Sequence, residues 1–231
     1  MLIISTVNKV IKWIVVAFFA STILSVVFFR FVPVFVSPLM MIRLVQQVKE
    51  GKELKMKHHW VAISNMSRSL PVAVVSSEDA FFYDHHGFDF EAIEKAVERN
   101  KKHPEKRRHG ASTISQQTAK NVFLWPGRSW VRKGLEAYFT LLIELFWTKE
   151  RIMEVYLNTI EMGDGIYGAE AVAREHFNTT AAELTKEQCA LIAVTLPNPR
   201  RFSSKNPSPY IKKRQKKIMK EMSYWESMKK H

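Results

Sequence analysis

A long apolar segment lies near the N-terminus of the chain. From Trp13 to Phe29 only three hydroxyl-bearing residues interrupt the apolar side chains, and beyond Arg30 the run continues to Val36. A helix needs about 20 residues to cross the hydrocarbon core of a bilayer, so this segment is long enough. Aromatic residues near both of its ends suit the lipid headgroup zone. The pattern predicts a membrane-spanning helix.

A cleavable signal peptide is the alternative, because Lys9 and Lys12 precede the apolar run. The run is longer than a typical signal core and no Ala-x-Ala pattern follows it, which favours an uncleaved anchor over residues 1–37. Basic residues also follow the span, at Arg43, Lys49 and Lys52. The positive-inside rule therefore does not decide which side of the membrane the rest of the chain faces.

Beyond the anchor the apolar residues recur mostly at helical spacing. Residues 39–45 are apolar apart from Arg43, which suits a segment lying in the membrane interface. The short apolar run at 71–75 fits either a strand or a buried turn of helix. Since no extended strand ladder is found, the fold class is mainly α. Five longer helices are predicted: from Asp89, from Ser129, from Lys149 to about Glu161, from Asp164 to Ala173, and from Thr185 to Leu196.

Composition adds a positive charge to this picture. The 231 residues are 46% hydrophobic, enough for one domain beside the anchor, and their net charge is +13. Basic patches attract nucleic acid, anionic lipid and diphosphate-bearing substrates, and a membrane anchor favours the last two, so we expect no nucleic-acid partner. Cys189 is the single cysteine and is expected in the core. His58 and His59 lack a metal-ligand pattern and are expected at the surface.

Two islands of polar residues stand out from the helical pattern. Residues 109–121 contain small, hydroxyl, amide and basic side chains where a helical core would need apolar ones. Residues 77–89 place acids and histidines among aromatic residues. Both compositions favour contact with a ligand, and together they indicate an active site.

Four motifs follow in order across about residues 71–199 and resemble those of the peptidoglycan glycosyltransferase (transglycosylase) family. Within that family the chain resembles the short monofunctional biosynthetic enzymes rather than the bifunctional penicillin-binding proteins. The family spacing selects His85 rather than His86, and the roles of both histidines stay open. The motifs are Glu78-Asp79-x-x-Phe82-x-x-His85-x-Gly87-x-Asp89, Gly110-Ala111-Ser112-Thr113-Ile114-x-Gln116-Gln117-x-x-Lys120-Asn121, Arg132-Lys133-x-x-Glu136 and Ile152-x-Glu154-x-Tyr156-Leu157-Asn158.

The resemblance implies a lysozyme-like helical glycosyltransferase domain over residues 38–231, with a smaller membrane-proximal lobe. It implies that the enzyme polymerises lipid II into glycan strands, releasing polyprenyl pyrophosphate with inversion at the anomeric carbon. It also places the domain on the outer, periplasmic face of the bacterial cytoplasmic membrane. The expected partners are lipid II, the growing lipid-linked glycan and the membrane, with other cell-wall synthases and divisome proteins as candidates.

Displacing a pyrophosphate needs a base for the attacking hydroxyl and cations for the leaving group. Glu78 lies in an aromatic setting that would raise its pKa by desolvation, so we expect it to be the base, with Asp79 acting structurally. Arg132, Lys133 and Glu136 can share one helix face. That trio is either a surface salt-bridge ladder or, lying after the polar island, a pyrophosphate site.

The resemblance implies Glu136 as the second essential carboxylate, which either orients the cations or holds a divalent metal. A divalent cation, Mg²⁺ or Mn²⁺, is therefore expected. Ser112 is also a candidate helix cap, and Asn158 is as well suited to support of the site as to direct contact. The expected substrate-binding residues are Ser112, Thr113, Gln116, Gln117, Lys120, Arg128, Arg132, Lys133 and Asn158.

Two other functions are weighed against this one. A membrane-anchored muramidase also needs a carboxylate pair, but it has no need of a dense cationic cluster. A non-enzymatic protein that binds anionic lipid leaves Glu78 and the two glutamines without a role. Transpeptidase activity is not expected, because the one Ser-x-x-Lys match, Ser227 to Lys230, has no room for a penicillin-binding domain around it.

Overall fold

The computed structural model describes residues 2–105, 110–127 and 129–228. Within these ranges the chain is mainly helical, as the sequence predicts, and the strands have only two or three residues each. The helices are α1 (Leu2–Phe31), α2 (Pro38–Lys49), α3 (Ser69–Glu78), α4 (Phe90–Lys102), α5 (Ile114–Phe123), α6 (Trp130–Phe146), α7 (Lys149–Thr159), α8 (Ala169–Phe177), α9 (Lys186–Thr195) and α10 (Pro209–Met228), and the strands are β1 (Lys57–His58), β2 (Glu161–Gly163) and β3 (Ile166–Tyr167).

Helix α1 carries the predicted span. Its segment Thr6–Phe31 is long and apolar enough to cross a membrane. The C-terminal half of α1 packs against α6, where the Thr22 and Tyr138 hydroxyls are 2.8 Å apart. The Trp147 indole N–H donates to the Val26 carbonyl at 2.8 Å. These contacts join the anchor directly to a helix of the candidate site.

Three predicted helix starts are confirmed by their capping bonds. The Asp89 carboxylate accepts the Ala92 N–H at 2.8 Å, and the Ser129 hydroxyl accepts the Arg132 N–H at 3.1 Å. Thr185 opens α9 with a full capping box. Such caps satisfy backbone donors that the first turn of a helix leaves free.

The helix predicted from Asp164 to Ala173 is wrong at its start. Residues 161–167 form the antiparallel β2–β3 pair, and α8 begins at Ala169. Gly165 and Gly168 have φ of +67° and +81°, a region that favours glycine and interrupts a helix. A Cβ on Gly168 would lie 2.6 Å from the Asn158 carbonyl oxygen. The turn thus needs glycine for both conformation and space.

The core is built around α9, whose residues from Cys189 to Thr195 are all buried. Helices α3 and α10 pack on it. The run at 71–75 is part of α3, and its residues Ala73, Val74 and Val75 are buried. Cys189 is in the core as predicted, and burial raises the pKa of its thiol to about 11. Helix α10 was not predicted. Its buried residues Ile211, Ile218 and Met222 recur at helical spacing within a basic tail.

Strand β3 lies between β1, to which it is parallel, and β2. The expectation that His58 lies at the surface is wrong, because β1 makes it half-buried. The His58 Nε2 atom is 3.0 Å from the Asn158 carbonyl oxygen. Desolvation lowers the pKa of His58, so the neutral ring is favoured at this junction of sheet and helix α7.

Candidate active site

A cleft of about 470 Å³ brings together parts of the chain that are far apart in sequence. One side is formed by α5, α6 and the loop between them, and the other by α2, β2 and the segment after α9. The lining residues are Leu39, Arg43, Ser112, Gln117, Lys120, Asn121, Leu124, Pro126, Gly127, Arg132, Lys133, Glu136, Ile160, Glu161, Leu196, Pro197 and Pro199.

Glu78 is the last residue of α3 and is half-buried beside this cleft. The Gln117 side-chain amide donates to Glu78 Oε2 at 3.0 Å. Burial raises the pKa of Glu78, and the bond from Gln117 and the charges of Arg214 and Lys120 oppose that rise. The predicted effect of desolvation on Glu78 is therefore present.

Asp79 ties the end of α3 to the start of α5. Its buried carboxylate accepts the Ile114 N–H at 2.9 Å and lies 2.9 Å from His85 Nε2. The other ring nitrogen of His85 accepts the Gly87 N–H at 3.1 Å. This network gives Asp79 the expected structural role and makes His85 part of the same support. His86 is exposed.

Thr113 and Gln116 form a capping box at the start of α5. The Thr113 N–H donates to the Gln116 side-chain oxygen at 3.0 Å, and the Gln116 N–H donates to the Thr113 hydroxyl at 3.1 Å. Thr113 also donates its hydroxyl to the Gly87 carbonyl at 2.7 Å. Both side chains are buried and lie outside the cleft lining. The cap is therefore Thr113 and not Ser112, which is exposed and lines the cleft.

Arg132, Lys133 and Glu136 share one face of α6, as the spacing predicts. The Arg132 guanidinium donates to Glu136 at 2.6 Å, and Lys133 pairs with the other carboxylate oxygen. Glu136 is only 3% exposed and Arg132 only 8%. That burial excludes the surface salt-bridge ladder that was the alternative interpretation of these two residues.

Lys120 faces this trio from α5. Desolvation lowers the pKa of Lys120, Glu136 opposes that fall, and Arg132 and Lys133 add to it. Glu78 also acts on Lys120 electrostatically. The site thus has three cations near the Glu136 carboxylate, and one of them, Lys120, also interacts electrostatically with Glu78.

Asn158 is fully buried and lies outside the cleft lining. Its amide exchanges two hydrogen bonds with the Val61 backbone, at 3.0 and 2.9 Å. Glu154 accepts the Ile63 N–H at 3.0 Å from the same helix. Both side chains hold the segment at 61–63 against α7, which is the supporting role foreseen as one alternative. Arg128 lies outside the described residues.

Three charged residues at or near the site were missed by the sequence analysis as functional candidates. Arg43 and Glu161 line the cleft, and Arg214 on α10 is close enough to Glu78 to lower its pKa. The sequence could have indicated Arg43, since it is the one charged residue in the apolar segment at 39–45. Nothing in the sequence indicated Glu161 or Arg214, because only the folding of β2 and α10 brings them to the site.

The carboxylates of the cleft do not form a metal-binding set. Among the described residues there is no group of three or more His, Cys, Asp or Glu side chains that could hold a metal ion. Both oxygens of Glu136 are paired with cations. The residues present therefore do not fit a metal ion held by the protein alone.

The chain is similar in sequence to known proteins over most of its length. Residues 44–223 match the family model described as Transglycosylase. The chain is 60% identical over 220 residues to a biosynthetic peptidoglycan transglycosylase of Bacteroides thetaiotaomicron, covering 94% of this chain and 88% of that one. It is 54% identical to that of Bdellovibrio bacteriovorus (90% and 84% covered) and 53% identical to that of Caulobacter vibrioides (86% and 83% covered). The family match includes Glu78 and the four residues that we call the α5–α6 cluster, namely Lys120, Arg132, Lys133 and Glu136.

Proposed function

This peptidoglycan glycosyltransferase belongs to the transglycosylase family, and we propose that it polymerises lipid II into glycan strands with release of polyprenyl pyrophosphate. The observation that carries the proposal is that Gln117, which donates to Glu78 at 3.0 Å, lines the same cleft as Lys120, Arg132, Lys133 and Glu136. A base and a set of cations therefore belong to one site. Glycosyl transfer from a diphosphate donor needs both.

In the proposed step the acceptor sugar's hydroxyl oxygen attacks the anomeric carbon of the growing chain. Glu78 takes the hydroxyl proton as the new carbon–oxygen bond forms. The bond from the anomeric carbon to the diphosphate oxygen breaks on the opposite face, and the electron pair leaves with the diphosphate. Attack and departure on opposite faces invert the anomeric carbon.

The surroundings of Glu78 suit a general base. Burial raises its pKa, which makes the carboxylate a stronger proton acceptor than an exposed one. Gln117 is held in turn, because the Tyr156 hydroxyl donates to its side-chain oxygen at 3.3 Å. That bond directs the amide nitrogen of Gln117 to Glu78. We infer that Tyr156 and Gln117 keep the carboxylate in place during proton transfer.

The α5–α6 cluster suits the leaving group. Lys120, Arg132 and Lys133 outnumber the Glu136 carboxylate, so the cluster keeps a positive charge for the departing diphosphate. Glu136 binds Arg132 and Lys133 and thereby fixes their positions before the substrate arrives. Such preorganised charge lowers the barrier without reorganisation during the reaction. The cluster also favours glycosyl transfer from a diphosphate over hydrolysis of glycan, where no diphosphate leaves.

The expected substrate contacts divide into two groups. Ser112, Gln117, Lys120, Arg132 and Lys133 line the cleft, and we propose that these bind the substrate directly. The remaining expected residues within the described part of the chain, Thr113, Gln116 and Asn158, act through the supports they form. Arg128 stays a prediction from the family resemblance.

A divalent cation stays a prediction as well. Because the protein groups do not fit a metal site of their own, no step above depends on one. Helix α1 supports a membrane location, which suits a lipid-linked substrate. We propose that the catalytic domain faces the outer, periplasmic side of the cytoplasmic membrane. Crosslinking of the strands is assigned to other cell-wall synthases.

The proposal is tested by incubating the detergent-solubilised full chain with labelled lipid II and Mg²⁺ or Mn²⁺ and separating polymer from monomer. Preformed glycan is incubated in parallel. Polymer from lipid II with intact preformed glycan is the expected result. Release of fragments from the glycan without polymer formation would make the protein a muramidase and refute the proposal.

A further inference from the structure

Unsatisfied polar atoms are concentrated around the cleft. Among the described residues, five buried side-chain nitrogen or oxygen atoms lack a hydrogen-bond partner: Arg43 Nε, Ser76 Oγ, Arg132 Nε, Glu161 Oε1 and Tyr167 Oη. Arg43, Arg132 and Glu161 line the cleft, and Tyr167 lies directly opposite Glu161 in the β2–β3 pair. Buried polar groups in folded proteins nearly always have partners. Their clustering at one cleft points to a bound molecule.

Arg43 and Glu161 form a corner of the cleft that is separate from the α5–α6 cluster. Arg43 comes from α2 and Glu161 from β2. The guanidinium Nε is 3.4 Å from Glu161 Oε2, and another nitrogen of Arg43 donates to Gln46 at 2.8 Å. Glu161 is only 6% exposed, yet its Oε1 has no partner. Arg43 Nε thus lies within ion-pair distance of Glu161 without forming a hydrogen bond to it, and Glu161 Oε1 is a buried acceptor without a hydrogen-bond partner.

The charge balance of this corner differs from that of the cationic cluster. Arg43 and Arg200 are balanced here by Glu161 and Asp164, so the corner offers no excess positive charge for a diphosphate. It offers a donor and an acceptor side by side, with the Tyr167 hydroxyl on the same face of the sheet. A neutral amide, with one C=O and one N–H, matches such a pair.

We propose that Arg43 and Glu161 form a subsite that binds a neutral amide group of the substrate. The Arg43 guanidinium donates to the amide carbonyl, and Glu161 Oε1 accepts the amide N–H. This inference rests on the proposed function, because lipid II carries amides both in the acetamido groups of its sugars and in its peptide. The subsite holds the substrate while Glu78 and the cationic cluster act on the reacting bond.

The test replaces Glu161 in the full chain and measures kcat, KM and the binding of labelled lipid II. Glu161→Ala is expected to raise KM and the dissociation constant about tenfold, near the low end for losing one hydrogen bond to a charged group, and to change kcat less than twofold. Glu161→Gln keeps the shape of the side chain and a weaker acceptor, so an increase of about threefold is expected. The Gln variant carries the test if the Ala variant does not fold.

Glu170→Gln is the matched control. Glu170 is 5% exposed, and its two oxygens accept from Arg174 at 2.7 Å and from the Ala181 N–H at 2.8 Å, away from the cleft lining. This variant should lower the thermal midpoint and leave KM unchanged. Glu161→Gln loses its ion pair with Arg43 and should also lower the midpoint, but it alone should raise KM. An unchanged KM in folded Glu161 variants, or a loss of thermal stability like that of Glu170→Gln with no change in substrate binding, would overturn the subsite.

Two altered substrates, compared with lipid II itself, identify the amide that is bound: one lacks the peptide, and the other also lacks the acetyl groups. If the effect of Glu161→Ala disappears with a lipid-linked disaccharide lacking the peptide, the subsite binds a peptide amide. If the effect persists on that substrate and disappears after removal of the acetyl groups, it binds an acetamido group. An equal effect on all three substrates would contradict amide binding. A wild-type protein that binds lipid II without polymerising it would refute the proposed function and leave the binding test of the subsite intact.

Discussion

Glu78 and Glu136 are two carboxylates that both act electrostatically on Lys120, and their surroundings differ. Glu78 accepts a hydrogen bond from the neutral Gln117 amide, and burial raises its pKa. Glu136 lies between Arg132 and Lys133, each paired with one of its oxygens. Glu78 thus has a neutral hydrogen-bond partner, whereas Glu136 has two cationic partners.

This difference separates two chemical roles that residue type alone does not distinguish. A desolvated carboxylate with a neutral partner takes a proton more readily than an exposed one, whereas a carboxylate fixed by two cations holds them in position. We therefore expect Glu78 to act on the acceptor hydroxyl and Glu136 to act through the cations that face the diphosphate. The variants below test whether the two roles are distinct.

The largest effect is expected from Glu78→Gln. Glutamine keeps the size of the side chain but cannot accept the hydroxyl proton, so kcat should fall by a factor of about 10³ or more. Lipid II binding should change less than threefold. A variant with normal turnover would show that Glu78 is not the base. Glu94→Gln, on the exposed side of α4, is the matched control and should behave as wild type.

Glu136→Gln comes next, and it should affect both stability and activity. Removing one partner of a buried ion pair leaves the other charge uncompensated, at a cost of about 3 kcal/mol. We expect a lower thermal midpoint together with a loss in kcat/KM of about 100-fold. If the loss appeared only as a lower midpoint, with full activity in the folded fraction, Glu136 would be a purely structural residue.

Lys133→Met is expected to lower kcat about tenfold, because one of three cations facing the diphosphate is lost. Lys133 is more exposed than Arg132, so the folded state should survive this change. Steady-state kinetics with lipid II give the measurement, and Lys95→Met on the surface of α4 gives the comparison. Equal rates for the two variants would remove Lys133 from the leaving-group cluster.

Tyr156→Phe should have the smallest effect. The lost hydroxyl donates to Gln117 at 3.3 Å, a long hydrogen bond, and Gln117 keeps its bond to Glu78. We expect kcat to fall about threefold with KM unchanged. A fall as large as that of Glu78→Gln would mean that Tyr156 itself takes part in proton transfer.

Much of the site follows from local sequence, because several of its parts are local. Asp89 and Ser129 cap the helices that they precede, and the i, i+4 spacing of Arg132 and Glu136 sets them on one face of α6. The polar island at 109–121 stands out because α5 borders a cleft. The caps and the helix face depend on contacts within a few residues, which a periodic pattern records, and the island is visible as a break in that pattern.

The rest depends on contacts between distant segments. Thr113 carries a side chain suited to a ligand, and only the fold shows that its hydroxyl donates to the Gly87 carbonyl. The turn at Gly165 and Gly168 replaces the start of a predicted helix with part of a β-hairpin, and that hairpin brings Glu161 to the cleft. Arg214 reaches Glu78 through the packing of α10 on α3. The spacing of residues along the sequence does not predict these contacts.

The most direct test of the different roles is the pH dependence of kcat/KM for wild type and Gln117→Leu. A general base works deprotonated, so the rate should fall as the pH drops through the pKa of Glu78, which burial raises above the ordinary glutamate value. Gln117 opposes that rise, so its replacement by leucine should move the acidic limb to still higher pH. An acidic limb that stays in place in Gln117→Leu, or moves to lower pH, would contradict the assignment of Glu78 as the base.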